Sequence, residues 1–156
     1  MATDQNQYLG NPNLKKSNVP VEFTKEQIKE YQKCMDDPVY FIQEYMKIVS
    51  LDEGLVPFKM YDFQKNMVQT FHDNRFTICK LPRQSGKSTT IIAYLLHYVL
   101  FNENVNVAIL ANKSSTARDI LGRLQLGYEN LPKWLQQGVV SWNKGSLDLE
   151  NGSSIL

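Results

Sequence analysis

Hydrophobic and polar positions alternate along this chain with several distinct periods, and each period predicts an element. From Thr24 the polar run TKEQIKEYQKCMDD sets Gln27 three residues after Thr24, so a capping box opens a solvated helix, with Glu26/Lys29 and Glu30/Lys33 on its polar face. Asp37 and Pro38 supply an N-cap and a first-turn proline. Val39, Ile42, Tyr45, Met46 and Val49 then recur at helical spacing, which predicts a second helix ending near Ser50. Gly54 and Pro57 break that pattern, and Tyr61 to Asp73 reads as a third helix with Phe63, Met67, Val68 and Phe71 on one side. The β-branched, apolar run Arg75 to Leu81 predicts a strand that stops at Pro82, where the missing N–H ends a ladder. Lys87 to Phe101 is almost wholly apolar, as a helix buried on most sides must be.

Val105 to Ala111 predicts a second buried strand, and Thr116 with Asp119 caps a helix carrying Ile120, Leu121, Leu124, Tyr128 and Leu131. Strand, helix, strand, helix is the repeat of a parallel α/β sheet. Beyond Pro132, Val139 to Trp142, the turn Asn143-Lys144-Gly145 and Ser146 to Glu150 read as a hairpin. Residues 1–22 carry Asn, Gly, Pro and Lys without a period and read as an extended arm whose order depends on docking elsewhere.

Composition narrows the function classes. The chain has 156 residues, enough for one domain, and 17 basic against 16 acidic side chains leave a net charge of +1. No global basic field is present to hold a duplex, so any nucleic-acid contact has to be local. Cys34 and Cys79 lie far apart with no Cys or His at metal spacing, which excludes a zinc finger or disulfide framework and suits a reducing compartment. The opening MATDQNQYLG lacks the features of a signal peptide, and the longest apolar stretch, Ile91 to Phe101, is about half of a membrane span; the expectation is a soluble chain.

The segment Leu81-Pro-Arg-Gln-Ser-Gly-Lys-Ser88 has the ending of a phosphate-binding P-loop. A Gly-Lys-Ser/Thr tripeptide alone arises by chance in roughly one chain in ten of this length. The context raises its weight: a predicted buried strand stops before it, a buried helix starts within it, and another strand follows at βαβ distance. In such a loop the amides of Gln84, Ser85, Gly86, Lys87, Ser88 and Thr89 point into one concavity at a helix N-terminus, where orphan donors favour an anion. Lys87 would reach the β and γ phosphates and the Ser88 hydroxyl would ligate Mg²⁺. Arg83, inside the loop, can fork onto phosphate oxygens and neutralise charge on the γ-phosphoryl in the transition state, whereas Arg75 and Lys80 read as solvated strand ends. Leu81 replaces the first glycine of the motif, so the turn there has to be made at negative φ.

Four segments in one order, FKMYDFQ, LPRQSGKSTT, ILANKSS and LPKWLQQGVVSWNKGSLDLENGSSI, resemble the large terminase subunit, the DNA-packaging motor ATPase, of T-even type tailed phages. The likeness runs from about Tyr8 onward and includes the arm YLGNPNLKK. The resemblance implies an α/β fold of the ASCE P-loop NTPase type, with a parallel sheet core, an N-terminal helical subdomain and a C-terminal β-hairpin. It implies ATP and Mg²⁺ as cofactors; double-stranded viral DNA, the portal and the small terminase subunit as partners; an oligomeric ring in the full-length family; and work at the procapsid portal in the host cytoplasm, without a membrane. By matching position, Arg83 is similar to the cis-acting arginine of the terminase Walker A loop, Lys87 to its lysine, Ser88 to its magnesium residue, and Gln64 to the adenine-recognising glutamine that precedes the loop. A carboxamide donates and accepts at once, as an adenine edge requires. Where some relatives carry another glutamine five residues earlier, this chain has Lys59.

The expected organisation is thus an arm (1–22), a helical segment with the adenine motif (23–73) and an incomplete P-loop core (74–156). No apolar strand ending in Asp-Glu follows Ser88, and Asp148 and Glu150, at i and i+2 on a hairpin strand, read as solvated. By the resemblance, the Walker B strand, the coupling motif and the nuclease domain lie beyond the position of Leu156, so the expectation is an N-terminal piece of a larger protein with little hydrolysis of its own. Two other readings stay open on the P-loop alone: part of a helicase or other translocase, and a non-hydrolysing nucleotide-binding assembly module. His72 and His97 read as packed helix histidines, Cys34 and Cys79 as inert, and Trp134 and Trp142 as lids over the sheet edge.

Overall fold

The computed structural model describes residues 6–50 and 52–156. Helix α1 (Lys25–Asp36) begins at the predicted capping box, with both halves made: the Gln27 amide donates to Thr24 Oγ1 at 3.2 Å and the Thr24 amide to Gln27 Oε1 at 3.0 Å. Its predicted Glu30/Lys33 pairing is replaced by contacts to the next helix. Glu30 accepts the hydroxyls of Tyr40 and Tyr45, and Lys33 lies over the Tyr40 ring. Asp37 caps α2 (Pro38–Tyr45) through the Tyr40 amide.

The chain leaves the helix at Met46, earlier than the periodicity suggests. Lys47–Ser50 forms β3, antiparallel to β4 (Gly54–Pro57), with Gly54 at φ +75 as the first residue after the turn. Val49, placed on a helix face by the sequence, is an exposed hairpin residue. Local β-branched content and a glycine able to take positive φ outweigh the helical spacing. Upstream, the arm forms its own hairpin, β1 (Gln7–Tyr8) with β2 (Asn11–Lys15); the first five residues of the predicted arm lie outside the described residues.

Helices α3 (Asp62–Asp73) and α4 (Lys87–Phe101) follow the predicted bounds closely. Helix α5 (Ser114–Glu129) starts before the predicted Thr116 cap and has no side-chain cap. The middle of α4 buries Ile92, Ala93, Leu96, Val99 and Leu100 against a shell that includes Phe41, Ile42, Val68, Leu121, Leu124 and Tyr128. At about 1.5–3 kcal/mol for each large side chain removed from water, this cluster is the main source of stability.

The sheet departs from the expected parallel core. A short β5 (Asn106–Val107) runs parallel to β8 (Ser154–Ile155), which is antiparallel to β7 (Leu147–Leu149), itself antiparallel to β6 (Val139–Trp142), in the order β5-β8-β7-β6. One parallel pair therefore joins an antiparallel meander, and the architecture is mixed α/β with small sheets. The predicted strand Arg75–Leu81 does not form: its backbone makes no hydrogen bond among the described residues, with Phe76 85% and Ile78 98% exposed. Cys79, expected inside a strand, is exposed as well. A β-branched run becomes a strand only where a neighbour supplies its ladder, and none lies beside it here. The second predicted strand shrinks likewise to β5, prolonged by an Ile109 amide bond to the Leu156 carbonyl, while Leu110 is 93% exposed.

Candidate functional site

The turn between Pro82 and Gly86 carries most of the residues singled out by sequence. Gly86, at φ +74, is the N-cap of α4, and Lys87, Ser88 and Thr89 fill the first helical turn. The first helical hydrogen bond runs from the Thr90 amide to the Gly86 carbonyl at 3.0 Å, which leaves the amides of Gly86, Lys87, Ser88 and Thr89 without an acceptor among the described residues. Every α-helix leaves such donors at its N-terminus, and an anion placed there is favoured. Leu81 keeps negative φ, as its replacement of glycine demands, and the left-handed step falls instead on Gln84 at φ +61.

The loop is knotted onto its own Pro82 carbonyl, which accepts both Lys87 Nζ at 3.1 Å and Ser85 Oγ at 3.0 Å. An anion entering the loop would have to draw Lys87 off that carbonyl, an exchange favoured by the opposite charge. Arg83, Gln84 and Ser88 are exposed, so the Arg83 guanidinium and the Ser88 hydroxyl are free to meet a ligand from solvent. Ser88 presents an exposed hydroxyl at the first turn of α4, an oxygen donor of the kind that would suit a magnesium ion.

Gln64 enters from α3. Its Oε1 accepts the Tyr61 amide at 2.9 Å and its Nε2 donates to the Ser85 carbonyl at 3.3 Å, so the residue whose sequence role was inferred from FKMYDFQ sits against the loop. Beside it opens a cavity of about 730 Å³, walled by Ile48, Val56 and Phe58 on one side and by Leu81, Pro82 and Ser85 on the other. Tyr61 and Phe63 stack with ring centroids 5.9 Å apart near its mouth, and Lys59 and Glu53 also line it. The β3–β4 wall escaped the sequence reading. Its signal was present in KIVS and GLVP flanking Leu51-Asp52-Glu53, with a glycine directly after the acidic pair, a hairpin pattern hidden by the helical spacing of Val49.

The remaining candidates lie elsewhere. Glu150 is neither solvated nor near the loop: it accepts Lys15 Nζ at 3.0 Å, the Gly138 amide and the Asn18 amide at 3.0 Å. Burial alone would raise its carboxyl pKa, but the Gly138 amide, the Lys15 ammonium and the Asn18 amide outweigh it and hold the value below the usual range. Asp148 pairs in the β6–β7–β8 meander. His97 is buried as expected, its Nε2 against the Cys34 carbonyl at 2.9 Å; burial pulls its pKa down to about 4. His72, by contrast, is exposed rather than packed. Burial pushes the Cys34 thiol up to about 12, so it is inert as read. Trp134 and Trp142 are half-buried against Tyr45 and Tyr128.

The fold and site define a mixed α/β domain with a glycine-lysine-serine turn at the head of its most buried helix. Residues 78–156, about half of the chain, match the family described as "Terminase large subunit, T4likevirus-type, N-terminal". The chain belongs to that family, and so to the proteins of phage DNA packaging, which takes place within the host cell in the context of portal and small subunit. No helix among the described residues is long and apolar enough to cross a membrane.

Proposed function

We propose that this chain binds ATP with Mg²⁺ at the Pro82–Thr89 loop, as the nucleotide-holding part of a motor that moves double-stranded viral DNA into a procapsid. The observation that carries the reading is the coincidence of four unpaired amides, Lys87 and Gly86 at one helix N-terminus, opening onto a cavity large enough for a nucleoside. In this reading the triphosphate lies along the loop amides and displaces Lys87 from Pro82. The base enters the cavity between the β3–β4 hairpin and the loop, beside Gln64. Ser88 supplies a hydroxyl to the ion, which in turn neutralises phosphate charge. Arg83, exposed and adjacent, is held for charge that develops on the γ-phosphoryl. The family membership favours this over a helicase or a passive assembly module, since packaging is work that consumes a nucleotide.

Calorimetric titration of the chain with Mg·ATP tests it. Lys87→Ala is expected to weaken binding by about 1.5–3 kcal/mol, the value of a hydrogen bond to a charged group. Arg83→Ala should weaken it less, because its partner charge arises mainly after the ground state. Equal affinity of wild type and Lys87→Ala would refute the reading.

A further inference from the structure

Gln64 is 3% exposed, and both ends of its carboxamide are already engaged inside the protein. The oxygen closes the first turn of α3 on the Tyr61 amide, and the nitrogen donates to the Ser85 carbonyl. A carboxamide has two donors and two lone pairs. One donor is thus committed to the loop before any ligand arrives. The contact is close as well as polar: a Cβ built on Gly86 would lie 2.6 Å from Gln64 Nε2, so a side chain there, already strained at φ +74, would push the carboxamide off the loop.

The orientation of that contact has a chemical result. In a planar trans peptide the C=O and N–H point opposite ways, so holding the Ser85 oxygen toward Gln64 turns the Gly86 N–H to the other face of the loop. Gly86 takes φ +74 at no steric cost, but Gln84 at φ +61 holds a non-glycine residue of this short turn in a sparsely populated backbone region, which surrounding structure has to enforce. Ser85 Oγ and Lys87 Nζ gather on Pro82 at one end of the turn. Gln64 is the restraint that reaches the other end from outside it.

We infer that Gln64 is a positioning residue: it fixes the Ser85–Gly86 peptide so that the loop amides face an anion, and it acts on a nucleotide through the triphosphate rather than through the base. The inference rests on the nucleotide reading above and deepens it. Two variants separate the roles. Gln64→Glu retains an oxygen for the Tyr61 amide, glutamate being an ordinary capping-box partner, but has no donor for the Ser85 carbonyl. Gln64→Ala removes both.

Backbone ¹⁵N relaxation of the ligand-free chain reads the restraint directly. The order parameters of Ser85 and Gly86 are expected to fall from the rigid range near ~0.85 to below ~0.6 in both variants, while those of the middle of α4 hold. Titrations with ATP, GTP and tripolyphosphate, which has no base, read the consequence. Gln64→Ala should weaken all three by the same factor, about tenfold, the weight of one good hydrogen bond. Unchanged order parameters overturn the inference, as does a loss confined to ATP, which would make Gln64 a direct base reader. A wild-type chain that binds none of the three ligands sinks the nucleotide reading and the triphosphate role with it, while the relaxation data still decide whether Gln64 restrains the loop.

Discussion

On one side of the Pro82–Gly86 turn, α4 buries Ile92, Leu96 and Leu100 in the hydrophobic core; on the other, Phe76 and Ile78 stand in solvent on a backbone that makes no hydrogen bond among the described residues. Both stretches are apolar in sequence. The helix closes its own hydrogen bonds, so it needs only a hydrophobic shell, which α2, α3 and α5 provide. A strand closes its bonds on another strand. The Arg75–Leu81 segment has the side chains of a core element and none of its backbone partners. The loop is therefore anchored firmly downstream, through Gly86 and α4, and laterally through Gln64, but is free upstream.

That contrast can be tested from its rigid end to its loose one. Phe41→Ala, which removes a fully buried ring packed on His97 and Phe101, should cost about 3–5 kcal/mol by denaturant unfolding. Next comes a dependence on pH. The His97 imidazole is neutral in the folded protein down to about 4, against an ordinary 6.5, so the unfolded chain takes up its proton first. Stability should be complete above pH 6.5 and decline toward pH 4 by an amount on the order of 3 kcal/mol, and His97→Leu should flatten that stretch of the profile. Glu150→Ala strips Lys15 and the Gly138 and Asn18 amides of their acceptor at a partly buried site, with an expected cost of about 1–3 kcal/mol. Because the folded Glu150 pKa is lowered, this contribution is present above the ordinary value of 4.5 and is lost as pH falls below it, so wild type and variant should converge in acid. At the loose end, Ile78→Ser should change stability by less than about 0.5 kcal/mol. A loss of several kcal/mol there would mean that the segment is packed, and the contrast would collapse.

The helices were legible because their signals are local. Thr24 with Gln27, Asp37 with Pro38, and the apolar run after Lys87 specify their elements without reference to the rest of the chain. Strands were not, since pairing depends on what lies alongside: Arg75–Leu81 and KIVS carry similar side chains, and only the second has GLVP beside it. The loop was readable as a motif, but two features of it were not. Nothing in the sequence marks Gln84 as the left-handed residue, and Glu150 looked solvated because its partner Lys15 lies at the far end of the chain. Gln64 stood out in the sequence only as a carboxamide within FKMYDFQ, whereas its contact with Ser85 needed three dimensions.

The pairing of the arm with the hairpin has a bearing on how the chain is made. Lys15 Nζ meets Glu150, the Lys15 amide donates to Gln136 Oε1 at 3.0 Å, and Gln136 Nε2 donates to the Asn13 carbonyl at 2.9 Å, so the earliest described residues are seated by some of the last. Synthesis adds about 5–20 residues per second. The arm therefore waits on the order of ten seconds after it emerges before its seat exists, with the apolar side chain of Leu14 unsheltered throughout. Its sequence suits that interval: YLGNPNLKK mixes a proline, a glycine, asparagines and two lysines around its few apolar residues, a composition that resists premature association while the ribosome completes the surface it will occupy.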